Sequence, residues 1–323
     1  MLELRRDDAD VSGSTLTPRI ALLMTLPPLL WAGNAIVGRL MVGLVPPLTL
    51  NALRWTLTAL LLAPLAARAW RHAGTVRDSW RYLLAIGTLG VGSFNALQYL
   101  ALETSTPLNV TLINASMPMW MLVVGALLWR ERPAGRAAVG AVLSLAGVAT
   151  VVARGQWADL ARVQFVIGDA YMLAAVIGWA LYSWLLVRPP AWMFSGPPPP
   201  PRLGLDWAAF LFVQTLFGLV AAGGASALEV TLGSHAPIDW GNAKVLAALA
   251  FVAIGPSIVA YRFWALGVTV AGPAIAAFFS NLSPLFAALL SAWLLGQWPE
   301  PYHAVAFALI VAGIAVSAWQ RSS

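Results

Sequence analysis

Ten stretches of predominantly apolar residues follow one another through this chain: 19–43, 47–69, 80–102, 107–129, 135–153, 167–187, 207–228, 243–267, 271–294 and 301–319. A helix needs about 20 such residues to cross the hydrocarbon core of a bilayer. Backbone immersed in lipid must satisfy its own hydrogen bonds, so only helices and closed barrels can span it. Barrel strands alternate apolar and polar residues over roughly ten positions, whereas these runs are continuous. The fold class that follows is an all-α integral membrane protein of ten transmembrane helices. Charge content agrees. Only 10% of residues are charged, against about 25% in a soluble domain, too few to cover a wetted surface.

The charges that remain act as topology signals. Arginine and lysine accumulate in cytoplasmic loops. With the N-terminus inside, one face carries Arg5, Arg6, Arg19, Arg68, Arg71, Arg77, Arg81, Arg130, Arg132, Arg136, Arg188, Arg202 and Arg321. The other carries Arg154, Arg162 and Lys244, and Arg39, Arg54 and Arg262 fall inside segments. Both termini are therefore expected in the cytoplasm, and the arginine bias with high alanine, glycine and proline suggests a GC-rich bacterial genome. Residues 1–18 read as a polar cytoplasmic tail, and residues 189–201, with their run of prolines, as a stiff polyproline spacer. There is no cysteine, so disulfides and thiolate metal sites are excluded.

The chain repeats itself. Residues 107–153 align with 273–319 at an offset of 166: Pro107 falls on Pro273, Pro118 on Pro284, Pro133 on Pro299 and Gly147 on Gly313. Ala101-Leu102 matches Ala265-Leu266, and Trp31-Ala32 matches Trp179-Ala180. This divides the chain into a repeat at 19–153, an outer linker at 154–166 and a second repeat at 167–319. Each repeat has five helices. An odd number inserts the second upside-down relative to the first, and inverted repeats in carriers place a binding site near the midplane between the halves.

The order and spacing of several motifs resemble the drug/metabolite transporter superfamily, in its EamA-type ten-helix branch. These are Trp31-Ala-Gly-Asn34, Leu53-Arg54-Trp55, Tyr99-Leu-Ala-Leu102, the stretch from Pro107 to Pro118, Arg130-Glu131-Arg132, Gly168-Asp169 and Gly178-Trp179-Ala180-Leu181-Tyr182. The resemblance implies an inner-membrane carrier with helices 1, 3, 4, 6, 8 and 9 around a central cavity and helices 5 and 10 at the periphery. It implies substrates such as amino acids, cationic drugs or other small metabolites, often exported. The family's acidic residue after the fourth helix is present as Glu131 but replaced by Gln297 in the second copy.

Near the middle of the inferred cavity helices the chain places polar and aromatic groups: Trp31, Asn34, Asn95, Gln98, Tyr99, Asn114, Ser116, Trp179, Tyr182, Ser257, Tyr261, Asn281 and Ser283. Polar groups in hydrocarbon are costly unless paired or wetted. The set therefore reads as substrate-binding candidates around a wet centre, with interhelical hydrogen bonding as the alternative for any one member. Arg54, inside the second helix, could pair with Glu103, bind a substrate carboxylate or snorkel to the interface. Pro118 and Pro284 are candidate hinges, because each breaks a helix in a symmetric position. Gly140 and Ser144, with Ala304, Ala308 and Ala312, form small-residue stripes suited to packing helix 5 on helix 10 within the chain.

All thirteen acidic residues lie in tails, loops or helix ends. Coupling through a buried carboxylate is therefore not expected, and facilitated diffusion or exchange is. Nothing resembles the metal, phosphate or nucleophile constellations of a membrane enzyme, so neither catalytic residues nor a cofactor or metal is expected. The functional reading is an exporter of small organic metabolites working by alternating access, with a small-molecule substrate and membrane lipid as partners, no nucleic acid, and a monomeric or homodimeric state. A lipid or polyprenyl-carrier flippase of the same architecture is the alternative.

Overall fold

The computed structural model describes residues 17–105, 107–158, 165–197, 199–233, 237–295 and 300–318. Among them nine helices are long and apolar enough to cross a membrane, and a bent pair makes a tenth crossing. We number the crossings α1 (Pro18–Gly38), α2 (Pro47–Ala66), α3 (Trp80–Thr104), α4 (Asn109–Ala115 with Met117–Trp129), α5 (Gly135–Val152), α6 (Ile167–Val187), α7 (Trp207–Leu232), α8 (Ala243–Ala271), α9 (Pro273–Leu290) and α10 (Pro301–Ala318). Their order is that of two five-helix repeats, the second inverted by the odd count. The polar tail before residue 17, Gln297 and Pro299 lie outside the described residues.

The repeat is visible even in the helices' irregularities. In α4 the helix stops at Ala115, restarts at Met117 and bends by 45°. In α9 it stops at Ser280 and restarts at Ser283. Pro118 and Pro284 each sit in the first turn of the restarted helix, where a missing N–H costs nothing. The prolines therefore begin new helices rather than kinking continuous ones. The two breaks touch: the Asn281 amide donates to the Ala115 carbonyl at 3.2 Å and to Ser144 Oγ at 2.8 Å. Farther along the chain, α3 widens into a π-helical turn at Thr88–Ser93 and α8 into another at Ala253–Val259. Such turns release carbonyls from the helical ladder and are frequent at functional sites.

Close backbone approaches hold the bundle where glycine permits them. On α5 and α10, a Cβ at Gly140 would meet the Gly313 carbonyl at 2.6 Å, and one at Gly313 the Gly140 carbonyl at 2.7 Å. The two helices thus pack on each other within the chain, as the small-residue stripe suggests. The face on α10 differs from the expected one. Gly313, Ser317, Ala306 and Ile310 make the contact, while Ala304, Ala308 and Ala312 are exposed. Alanine is common on every face of α10, so spacing alone does not distinguish them. Gly313→Leu is expected to pry α5 from α10 and to cost about 1–3 kcal/mol. It should appear as a lowered unfolding temperature of the purified protein in detergent.

The proline-rich loop departs from the expected stiff polyproline spacer. It forms two short 3₁₀ turns, Ala191–Met193 and Pro201–Gly204. Met193, Phe194, Leu203 and Leu205 are buried, and the Ser195 N–H donates to the Asp78 carbonyl at 2.8 Å. Phe194 lies 5.5 Å from the Tyr82 ring at the start of α3. Large apolar side chains among the prolines fold the loop back over the end of the bundle, because burying them outweighs polyproline stiffness.

Candidate functional site

A cavity of about 180 Å³ lies within the bundle. It is lined by Trp31, Ala32, Asn34 and Ala35 of α1, Phe94, Asn95 and Gln98 of α3, and Val110, Thr111, Asn114 and Met117 of α4. Trp179 of α6, Tyr261 of α8, and Ser280, Ser283, Pro284 and Ala287 of α9 complete it. Six helices, three from each repeat, thus share one chamber. Ala35 is exposed, whereas Trp179 and Tyr261 are buried. The chamber therefore opens toward the face where α1 and α3 end and α4 begins, and it is floored on the other side. No lining side chain carries a formal charge.

The floor is aromatic. Trp179 is its centre, with ring centroids at 5.5 Å from Trp31, 5.0 Å from Phe94, 4.9 Å from Tyr182, 5.5 Å from Tyr261 and 5.4 Å from Trp264. The pairs with Trp31 and Tyr261 are edge-to-face and the other three tilted; favourable aromatic pairs each contribute about 0.5–1.5 kcal/mol beyond the area they bury. The π-helical turns anchor it. The Tyr261 hydroxyl donates to the Gly90 carbonyl, Trp31 Nε1 to the Pro256 carbonyl at 3.2 Å, and Thr58 Oγ1 to the Ala253 carbonyl at 3.3 Å. Carbonyls released by the widened turns are thus capped by side chains of the floor and of α2. Gly90 is required here, since a Cβ would meet the Tyr182 ring at 2.7 Å.

Arg54 lies one side chain behind the wall. It is 1% exposed. Its Nε donates to Ser257 Oγ at 2.8 Å and its Nη1 to Asn34 Oδ1 at 3.3 Å. Its guanidinium sits 5.0 Å from the Trp55 ring centroid. Glu103 is exposed and makes no ion pair with it, so neither the proposed Glu103 pair nor snorkelling describes this residue. The contact recurs in the second repeat with a neutral residue. Gln214 of α7 donates to the Tyr182 hydroxyl at 3.2 Å, and Tyr182 matches Asn34 at the offset that relates Trp179 to Trp31.

The sequence model of the EamA-like transporter family matches this chain twice, over residues 18–153 and 166–319. The chain belongs to the EamA-like transporter family. An uncharacterized transporter of Archaeoglobus fulgidus is 28% identical over 303 residues, covering 91% of this chain and 95% of the relative. The uncharacterized transporter YetK of Bacillus subtilis is 23% identical over 88% of this chain and 82% of its own length. Another from that organism, YyaM, is 22% identical over 72% and 70%. A protein of known crystal structure shares the fold, with a TM-score of 0.70 at 23% identity over 92% of this chain and 96% of that one. The protein is thus a multi-pass membrane transporter, not an enzyme.

Within this EamA-like transporter, Trp31, Asn34, Asn95, Gln98, Asn114, Trp179, Tyr261 and Ser283 face the cavity, as does Pro284. The remaining candidates stand outside the lining. Tyr99 packs beside Gly38, and Ser116 donates to the Ile113 carbonyl at the break in α4. Tyr182 lies under Gly90, and Ser257 bridges Arg54 to the Val252 carbonyl. Asn281 joins the two helix breaks, and Pro118 sits in the buried first turn after the first of them. The sequence reading missed Ala32, Ala35, Phe94, Val110, Thr111, Met117, Ser280 and Ala287, most of which are apolar and carry no polar signal of lining. Ser280, the neighbour of Asn281, was within reach of the criterion that selected Asn281.

Proposed function

We propose that this transporter carries small organic metabolites across the membrane by alternating access, in the exporting direction, from a bacterial inner membrane with both termini in the cytoplasm. The observation that carries the reading is the single chamber shared by three helices of each repeat, open at Ala35 and floored by the aromatic cluster. Two inverted halves can exchange conformations at similar energy, and the floor on one side then becomes the mouth on the other. The arginine asymmetry supports an outward-facing mouth. A polar rim of Asn34, Asn95, Gln98 and Asn114 above an aromatic base suits a solute with a polar end and an apolar body. No carboxylate or histidine lines the chamber, which favours facilitated movement or exchange over proton coupling.

The native chain has no cysteine, so a single introduced thiol reports without background. A membrane-impermeant maleimide added to intact cells should label Ala35→Cys and Ala287→Cys but not Ser183→Cys, which lies buried beneath the floor. Labelling of Ala35→Cys only in inside-out vesicles would reverse the orientation. Labelling of one site equally from both faces would make the protein a channel rather than a carrier.

A further inference from the structure

The transporter holds a cation in its wall for which the fold supplies no counter-charge. Arg54 is fully enclosed, and among the described residues its hydrogen-bond partners, Ser257, Asn34 and Tyr99, are all neutral side chains. A guanidinium stays charged under all ordinary conditions. Charge inside a membrane protein is costly and is retained where it does work on a substrate or ion pathway. The packing contact does not demand it, because α7 makes the corresponding contact to α6 with the neutral amide of Gln214.

The charge is aimed at the cavity. Asn34 accepts from Arg54 through Oδ1 and lines the chamber. Among the described residues the amide nitrogen of the same side chain has no hydrogen-bond partner, and with its oxygen engaged by a cation it is a polarised donor. A second donor lies beside the chamber: Trp179 is a lining residue, and its buried Nε1 has no hydrogen-bond partner among the described residues. An indole N–H and an amide N–H can only be satisfied by an acceptor, and an acceptor bearing negative charge offsets Arg54 as well.

We propose that the Arg54–Asn34 pair makes the chamber selective for organic anions, solutes carrying a carboxylate or similarly compact anionic group on an apolar body, over organic cations. This rests on the cavity being the substrate site and refines it. Arg54 acts as a positioning residue: it does not touch the solute but sets the field and the orientation of Asn34. Asn114, another lining residue, carries a buried Oδ1 without a hydrogen-bond partner among the described residues, an acceptor that suits one hydroxyl or N–H on the same solute.

The test uses three probes of one shape, phenylacetate, phenylacetamide and phenethylamine, titrated against the purified full chain in detergent and read by tryptophan fluorescence and thermal shift. Phenylacetate is expected to bind at least about tenfold more tightly than the other two. Arg54→Gln copies the native Gln214 contact. It should bring the three affinities to within about twofold, by weakening phenylacetate while leaving phenylacetamide unchanged. Should that variant fail to fold, Asn34→Ala should produce the same convergence. Equal or tighter binding of phenethylamine, no binding of phenylacetate, or a preference that survives Arg54→Gln overturns the proposal. The cavity reading is tested separately with Ala287→Trp, which fills the chamber. If it abolishes binding of every probe, the cavity stands whatever the charge order. If binding is untouched, the solutes bind elsewhere and both readings fall.

Discussion

Trp179→Ala is expected to abolish transport while leaving the bundle assembled but much less stable. The indole is 2% exposed and meets five other aromatic rings, so its removal opens a void that the hydrogen-bonded ones among them cannot fill without breaking their anchors. Trp31 is tied to the Pro256 carbonyl, Tyr261 to Gly90 and Trp264 to Ser183 Oγ at 3.2 Å. Large-to-small replacement of a buried aromatic costs about 3–5 kcal/mol. Thermal unfolding in detergent should register that loss. Solute flux in liposomes distinguishes two roles for the floor. A saturable flux equal to the native protein's would mean that the cluster is packing alone. Loss of all flux would show that the cluster takes part in transport, and an unsaturable leak would identify it as the barrier beneath the chamber.

Asp169→Ala should produce the largest destabilisation of any polar substitution. Asp169 is 4% exposed at the first turn of α6. Its carboxylate accepts from the Val166 N–H at 2.8 Å, from Asn109 Nδ2 at 3.1 Å and from Ser105 Oγ. It therefore caps its own helix and binds the turn that joins α3 to α4. Backbone is close-set at the same place, since a Cβ on Gly168 would meet the Ala101 carbonyl at 2.4 Å. Hydrogen bonds to a charged group each contribute about 1.5–3 kcal/mol, and two of the three donors here, Ser105 and Asn109, are buried. A loss of at least ~3 kcal/mol is expected, read as a fall in unfolding temperature. A negligible shift would mean that the α3–α4 turn is held by other contacts.

The architecture was readable from sequence because lipid enforces a simple code. Continuous apolar runs marked the crossings, and an offset shared by Pro118–Pro284 and Gly147–Gly313 marked the repeat. The irregularities were less legible. The π-helical turns in α3 and α8 lie in glycine-rich runs around Gly90 and Gly255, where composition permits the widening without demanding it. Among candidate residues, depth along the helix was legible and azimuth was not. Asn34 and Asn95 face the chamber, while Tyr99 and Ser257, at similar depth, turn toward neighbouring helices. Hydrophobic patterning could not separate the two directions, because helices in this bundle bury polar groups against one another as well as against the cavity. Arg54 illustrates the limit: its place inside α2 was legible, but its partner Ser257 is supplied by α8, 203 residues away.

The latch between the two helix breaks is lopsided. Asn281 reaches from the α9 break to the Ala115 carbonyl, and the residue that corresponds to Asn281 in the first repeat is Ala115 itself, which has no amide to reach back. Under alternating access the two halves exchange roles, so the opposite-facing form must forgo this bond. One such bond contributes about 0.5–1.5 kcal/mol net, a severalfold bias in occupancy. On the proposed cycle an idle molecule would spend most of its time with its mouth at Ala35, and a cargo that binds the other form more tightly would shift that balance.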